Sequence, residues 1–149
     1  MSHILIRPAC SDDRDALTDL MDEYIVDFYK KSKQPRERIQ DLITLLLDQR
    51  DGIQFVAQQN EELVGFATLY FSFSTLRAGK ISIMNDLYVI EGARGSGVAA
   101  KLFDACHHYS KAHGCAFMSW TTASDNIRAQ RFYEKVGGTT GDWLNYSIE

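Results

Sequence analysis

Residues 90–100, IEGARGSGVAA, decide how this chain folds, and they contain three of its ten glycines. The stretch joins a segment typical of a β-strand, residues 81–90, to a segment with helical apolar spacing that ends at Gly114. Ordering a glycine costs more backbone entropy than ordering any other residue, so the cluster needs a purpose. The first turn of a helix exposes unpaired N–H groups at the positive end of the helix dipole. We therefore interpret the stretch as an anion-binding turn between a strand and a helix.

The spacing of the glycines separates this turn from two familiar nucleotide-binding motifs. A Rossmann fingerprint requires G-x-G-x-x-G and an acidic residue at the end of the next strand. Here Gly97 is followed by VAA, and the next predicted strand ends in TT at residues 121–122. A Walker loop requires G-K-[ST], which is absent from this stretch. The alternative that stays open is a tight strand-to-helix turn, in which the glycines permit the backbone conformation and bind no ligand.

A second segment, residues 126–137 with the sequence NIRAQRFYEKVG, gives the glycine turn its context. Together with RGSGVA at residues 94–99, it resembles the signature segments of the GNAT superfamily of acyl-CoA-dependent N-acyltransferases, R/Q-x-x-G-x-G/A and N-x-x-A-x-x-F-Y-x-x-x-G. NDLYV at residues 85–89 and DWLNY at residues 142–146 look closest to small-molecule amine acetyltransferases of the diamine or thialysine kind. The resemblance covers the whole predicted order of elements.

The hydrophobic periodicity predicts a single α/β domain over residues 1–149 with a mixed, mostly antiparallel sheet. Strand 81–90 should pair in parallel with the next strand through a right-handed helical crossover. The resemblance implies that this central parallel pair splays apart to admit acyl-CoA, with helices on both faces of the sheet. The predicted strands are residues 3–9, 54–59, 63–73, 81–90, 115–122 and 143–148, and the predicted helices are residues 14–28, 36–50, 98–112 and 126–136.

Composition excludes several classes of function. The formal net charge of −4 gives no overall attraction to nucleic acid or to an anionic membrane. The longest apolar run, residues 42–47, is far shorter than the ~20 residues that cross a bilayer. Cys10, Cys106 and Cys115 are odd in number and lack C-x-x-C spacing, which predicts reduced thiols, a cytoplasmic location and no bound metal.

The resemblance also implies which residues bind the cofactor, acetyl-CoA. Main-chain N–H groups of the glycine turn would bind the pyrophosphate, and the strand before it would hold the pantetheine arm through its main chain. Asn126 would hydrogen-bond to the cofactor, with a helix N-cap as its alternative role. The cofactor-binding residues are therefore expected to be Leu87, Tyr88, Val89, Arg94, Gly95, Ser96, Gly97, Val98, Ala99 and Asn126.

Acyl transfer to an amine needs a proton donor for the leaving thiolate and a base for the amine. Tyr133 matches the tyrosine that supplies this proton in the family, and a phenol of pKa ~10 is protonated at neutral pH. Diamine-type relatives carry a glutamate at the position of Asn85. Because asparagine cannot take up a proton, the base is expected to be the neighbouring Asp86. Strand alternation turns Asp86 away from Leu87 unless a bulge redirects it. A more distant carboxylate acting through water, or an already neutral amine, stays open.

The acceptor side is predicted from an acidic first helix. Glu23, Tyr24, Asp27 and Asn85 are the candidate substrate-binding residues, and a solvated acidic face is the alternative. Together with these residues, the resemblance implies direct acetyl transfer from acetyl-CoA to a primary amine of a small molecule such as a polyamine or amino acid. A non-catalytic acyl-CoA sensor or interaction module and a peptide or protein N-acetyltransferase are the alternatives. The family implies a homodimer, formed through the last predicted strand with Trp143 and Tyr146.

Overall fold

The structure is a computed structural model that describes residues 3–149. Its centre is a five-stranded sheet in the order β1-β2-β3-β4-β5. The first four strands are antiparallel neighbours, and β5 runs parallel to β4. The predicted mixed, mostly antiparallel sheet is therefore confirmed. The strands are β1 Ile4–Pro8, β2 Gly52–Gln59, β3 Glu62–Ser74, β4 Gly79–Val89 and β5 Met118–Ser119.

Helices cover both faces of this sheet, as predicted. On one face, helices near the N-terminus bury Leu17 and Ile43 against Phe66 of β3. On the other face, the crossover helix buries Leu102 and Cys106 against the sheet. None of the helices within residues 3–149 is long and apolar enough to cross a membrane. The helices are α1 Arg14–Asp22, continued by a π-helical segment Glu23–Phe28, then α2 Arg36–Leu46, α3 Val98–Ala112 and α4 Ile127–Lys135.

The first helix widens in its second half, which its regular apolar spacing does not reveal. From Glu23 the helix takes π geometry, and the Tyr29 N–H donates to the carbonyl of Tyr24 at 3.0 Å, five residues earlier. The wider turn brings the rings of Tyr24 and Tyr29 edge to face with centroids 4.9 Å apart. Helix α2 also ends earlier than predicted, at Leu46 instead of Arg50.

The predicted C-terminal strand, residues 143–148, is wrong. The chain is irregular after α4, and Trp143 and Tyr146 are 86% and 89% exposed. Alternating apolar residues form a strand only beside another strand, and no strand within residues 3–149 pairs with this segment. The predicted strand 115–122 is likewise reduced to the two residues Met118–Ser119.

The parallel pair is short, and this opens the sheet. β5 pairs with β4 only at Ser82–Met118 and Ile83–Ser119. From residue 84 to residue 89, β4 continues without a neighbour on that side anywhere in the described chain. The predicted splay of the central parallel pair is thus present, and it leaves one edge of β4 available.

Candidate active site

The glycine turn lies at the end of β4 and leads into α3. Gly95 and Gly97 have φ values of +84° and +83°, and no atom lies within 4 Å of the position of a β-carbon at either residue. Other residues adopt such backbone angles only under strain. Ser96 closes the turn by donating from Oγ to the Ala93 carbonyl at 2.5 Å. The turn therefore presents an open surface of main chain.

The N–H groups of this turn are available to an anion. Within residues 3–149, those of Gly95, Ser96 and Gly97 have no backbone acceptor. The first intrahelical bond of α3 runs from the Lys101 N–H to the Gly97 carbonyl, so the N–H groups of Val98 and Ala99 lie before it. An anion at this helix start would accept several main-chain hydrogen bonds, which is the geometry that a pyrophosphate requires. The turn therefore fits the CoA pyrophosphate.

Arg94 directs its guanidinium back toward the sheet. Its Nε donates to the Val89 carbonyl at 3.0 Å, and its Cζ lies 5.8 Å from the ring centroid of Phe28 and 5.9 Å from that of Tyr88. The side chain thus connects the end of β4 to the π-helical segment.

A pocket opens where β4 and β5 separate. The π-helical segment and the adjoining Tyr29 form one wall, and β4, the segment after β5 and α4 form the others. The predicted residues Tyr24, Asn85, Leu87, Asn126 and Tyr133 meet here. Sequence reasoning did not assign Phe28, Thr121, Thr122 or Ala129 to the site, since Phe28 belongs to an apolar stripe and the threonines to a predicted buried strand. The lining residues are Tyr24, Phe28, Tyr29, Met84, Asn85, Leu87, Thr121, Thr122, Asn126, Ala129 and Tyr133.

Tyr133 contributes the phenol of this pocket. Its ring packs against Trp120, with centroids 5.3 Å apart. Burial raises the pKa of Tyr133, and the nearby Tyr29 raises it further. The phenol is therefore protonated throughout the neutral range, as an acid must be before it gives up its proton.

Asn126 begins α4 beside Tyr133. Its Oδ1 accepts a hydrogen bond from the Ala129 N–H at 3.1 Å, so the helix N-cap is formed. The side-chain NH₂ points to no acceptor among residues 3–149 and is free to donate in the pocket. The N-cap and a hydrogen bond to a ligand are therefore compatible roles.

Asp86 lies behind the pocket and does not line it. A bulge opposite Thr68 and Leu69 leaves Asn85 as an extra residue in β4. Asp86 then faces the π-helical segment, while Leu87 packs with α3 on the other face. Burial raises the pKa of the Asp86 carboxyl, and hydrogen bonds from Asn85, Thr68 and Tyr24 act in the opposite direction.

The structure divides the predicted substrate residues between two places. Tyr24 and Asn85 line the pocket, whereas Glu23 and Asp27 line a neighbouring cleft. The Glu23 carboxylate already accepts a hydrogen bond there, because the Tyr88 hydroxyl donates to its Oε2 at 2.5 Å. Burial, followed by this hydrogen bond, raises the pKa of Tyr88 to about 12. The Tyr88 side chain therefore packs with the π-helical segment and only its main chain lies along the open edge of β4. The cleft is lined by Asp19, Asp22, Glu23, Val26, Asp27 and Lys33.

A helix start with free main-chain N–H groups beside a splayed parallel pair is the arrangement that the sequence resemblance implies for acyl-CoA-dependent transferases. Residues 17–138 match the Acetyltransferase (GNAT) family. The chain therefore belongs to this family of N-acetyltransferases, and both signature segments lie inside the match.

Individual relatives agree with this assignment. An uncharacterized N-acetyltransferase of Bacillus subtilis (strain 168), YhfO, is 29% identical over 132 residues, which cover 89% of this chain and 87% of that protein. The bovine thialysine N-epsilon-acetyltransferase is 29% identical over 75 residues, 50% of this chain and 44% of that protein. The crystal structure of a probable acetyltransferase superposes with a TM-score of 0.85 at 30% identity and covers 97% of both chains.

The aminoglycoside N-acetyltransferase AAC(6')-Iy in complex with CoA has the same fold. It superposes with a TM-score of 0.87 at 17% identity, covering 100% of this chain and 96% of that one.

Proposed function

We propose that the protein transfers an acetyl group from acetyl-CoA directly to the primary amine of a small molecule, such as a polyamine or an amino acid. The observation that supports this most is the shared pocket of Tyr133, Asn126 and the open edge of β4, the strand that ends at the glycine turn. When bound, acetyl-CoA supplies an acyl group activated as a thioester. Main-chain N–H groups at Gly95–Ala99 would hold its pyrophosphate, and the main chain of Leu87, Tyr88 and Val89 its pantetheine arm.

Each chemical step would be carried out by a group that lies in the pocket or directly behind it. The side-chain NH₂ of Asn126 would donate to the bound acyl donor, and an N–H group of β4 would polarise the thioester carbonyl. Tyr133 would give its proton to the sulfur of the departing thiolate. Asp86 would take up the proton that the amine loses.

The acidic cleft next to the pocket favours a small cationic acceptor over a peptide. Glu23 and Asp27 lie there with Asp19 and Asp22. Arg36 pairs with Asp19 at 2.8 Å and Lys33 with Asp22 at 3.7 Å, which leaves the uncompensated negative charge at Glu23 and Asp27. A concentration of carboxylates raises the local concentration of protonated amines. The peptide acetyltransferase alternative requires no such charge.

Thiol release separates the candidate functions. The protein is incubated with acetyl-CoA and a panel of polyamines, amino acids, aminosugars and peptides, and free CoA is followed over time. We expect release only with small primary amines. Release only with peptides would transfer the assignment to the peptide alternative, and binding of acetyl-CoA without release for any amine would support the sensor.

We also propose that the protein is a cytoplasmic homodimer. All three cysteines are free and Cys106 is buried, which suits a reducing compartment. The exposed C-terminal segment with Trp143 and Tyr146 is the proposed contact with a second copy.

A further inference from the structure

Glu23 differs from the other carboxylates of the acidic cleft, because a neutral donor holds it. Two of the others are paired with the cations Arg36 and Lys33. Glu23 accepts a hydrogen bond from the Tyr88 hydroxyl at 2.5 Å, and no ion pair within residues 3–149 includes it. Burial and this hydrogen bond raise the pKa of Tyr88 to about 12, so the proton stays on the phenol at neutral pH. Glu23 is therefore held in place while it keeps its negative charge.

The ring of Tyr88 is fixed by its own packing. Tyr88 is 6% exposed and belongs to the same core as Phe66. Its ring centroid lies 5.5 Å from that of Tyr24 and 5.6 Å from that of Phe28. Side chains in a close-packed interior sit in rotamer minima. The Tyr88 hydroxyl thus has a defined position, and so does the Glu23 oxygen to which it donates.

Tyr88 also connects the acidic cleft to the pocket. Its ring contacts Tyr24 and Phe28, which line the pocket, and its hydroxyl donates to Glu23, which lines the cleft. Glu23 and Tyr24 are consecutive residues of the π-helical segment. The two sites are therefore adjacent along one element, and Tyr88 contacts the walls of both.

The two sites differ in charge. Among the described residues, none of those that line the pocket carries a charged side chain. In the cleft, Glu23 and Asp27 are the carboxylates without a paired cation within residues 3–149. An acceptor with a second ammonium group would therefore find its counter-charge in the cleft while its reacting nitrogen occupies the pocket. A carboxylate in the same place, such as that of an amino acid, would be repelled.

We propose that Tyr88 is a positioning residue, which holds the Glu23 carboxylate where it binds a second ammonium group of the acceptor. This role rests on the proposed function, and it narrows the acceptor to amines with two cationic groups. The ammonium at Glu23 is not the one that is acetylated, so no covalent bond to it forms or breaks. Glu23 Oε2 accepts from Tyr88, and the carboxylate has further acceptor sites for the ammonium N–H groups.

Steady-state kinetics with two acceptors test this role. The acceptors are the diamine with the highest kcat/KM and the monoamine of the same chain length. Tyr88→Phe removes the hydroxyl and leaves the ring in its packing. We expect the KM of the diamine to rise about tenfold with little change in kcat, because a hydrogen bond to a charged group is lost. The KM of the monoamine should change by less than about twofold, since it has no group to place at Glu23.

Tyr109→Phe is the matched control, because it also removes one phenol that donates to a side chain. The Tyr109 hydroxyl donates to Gln49 Oε1 at 3.0 Å, and its ring packs on the opposite face of the sheet, against Phe55. Neither KM should change in this variant. An equal rise for the diamine in both variants, or an equal rise for diamine and monoamine in Tyr88→Phe, would overturn the role.

A double-mutant cycle shows whether Tyr88 acts through Glu23. Glu23→Gln removes the charge and keeps the length of the side chain, so it should raise the KM of the diamine at least as much as Tyr88→Phe does. Adding Tyr88→Phe to Glu23→Gln should then raise this KM no further. Effects that multiply in the double variant would contradict a positioning role.

Binding separates this role from the function on which it rests. Isothermal titration of the same diamine into the CoA-saturated protein requires no turnover, and Tyr88→Phe should weaken the binding by about tenfold. A diamine that binds the unaltered protein no tighter than the monoamine, or thiol release only with amines that lack a second cationic group, overturns the role while acetyl transfer stands. Absence of thiol release with every amine overturns the function itself.

Discussion

The phenol of Tyr133 is the group in the pocket best suited to give a proton to a thiolate. Tyr133→Phe removes only the oxygen and leaves the ring packed on Trp120. We expect kcat to fall by about 100-fold with little change in the KM for acetyl-CoA, since proton donation acts on the transition state. The rate of thiol release at saturating concentrations of both substrates measures kcat. Tyr146→Phe, on the exposed C-terminal segment, is the control, and full turnover by Tyr133→Phe would rule out its role as the acid.

Asp86 should reduce stability at neutral pH. Its pKa is raised by burial above the ordinary 3.8, so the folded state binds this proton more tightly than the unfolded chain does. The group therefore favours folding most below pH 3.8, and its contribution is lost as the pH rises through the raised pKa. We expect the unfolding free energy of the unaltered protein, relative to Asp86→Asn, to fall from pH 4 upward.

Urea unfolding of both proteins between pH 4 and pH 8 measures this difference. Asp12→Asn, which changes an exposed carboxylate in the turn before α1, is the matched control. A relative stability of Asp86→Asn that stays constant across the range would show that Asp86 titrates normally.

At the scale of elements, the turn into α3 tests the anion site. Gly97 starts the helix with φ +83° and Gly114 follows its end with φ +73°, and a β-carbon at either position meets no atom within 4 Å. An alanine at either position should cost about 1–2 kcal/mol of stability through backbone strain alone. Only the methyl group at residue 97 would occupy the space of the pyrophosphate.

Isothermal titration with CoA separates the two effects. Gly97→Ala should weaken binding by about tenfold or more, because charge-assisted hydrogen bonds to the main chain are lost. Gly114→Ala should bind as the unaltered protein does, although it is equally strained. Equal affinities for the two variants would place the pyrophosphate elsewhere.

The parts of the site that could be predicted are those with a local signal in the sequence. The apolar stripe of α3 and the glycines at its two ends predict the crossover helix. A helical crossover between two strands in turn predicts that β4 and β5 are parallel. The π-helical segment and the bulge at Asn85 had no such signal. An apolar stripe through Tyr24 fits either helical geometry, and NDLYV alternates equally well with or without an extra residue. Tertiary contacts decide both features, and they determine where Tyr24 and Asp86 meet.

Over the whole molecule, we propose that the two substrates bind at surfaces of opposite charge. The start of α3 offers N–H groups to an anion, while the acidic cleft along the π-helical segment would attract a cation. Asp27→Asn should raise the KM of a cationic amine several-fold at low ionic strength, and added salt should reduce the difference. Asp104→Asn, an exposed change on α3, serves as the control. An unchanged KM in Asp27→Asn would remove the cleft from substrate binding.

We propose that the C-terminal segment contacts a second copy of the chain. The family match ends at residue 138, and the regular structure has ended by then. Beyond it, Trp143, Leu144, Tyr146 and Ile148 are each at least 80% exposed. Exposed apolar side chains in such a row are costly in water, and strand-like alternation suits pairing with a second sheet edge.

Sedimentation velocity tests whether the protein is a dimer and whether this segment forms the contact. Trp143→Ser should shift the protein from dimer to monomer at micromolar concentration, because it removes the largest apolar side chain of the contact. Leu76→Ser is the matched control, since Leu76 is also 86% exposed but lies in the turn between β3 and β4. The segment pairs with no strand of its own chain in the described structure, so neither variant should change the unfolding of the monomer by more than about 0.5 kcal/mol. A Trp143→Ser variant that remains dimeric would exclude this segment as the contact.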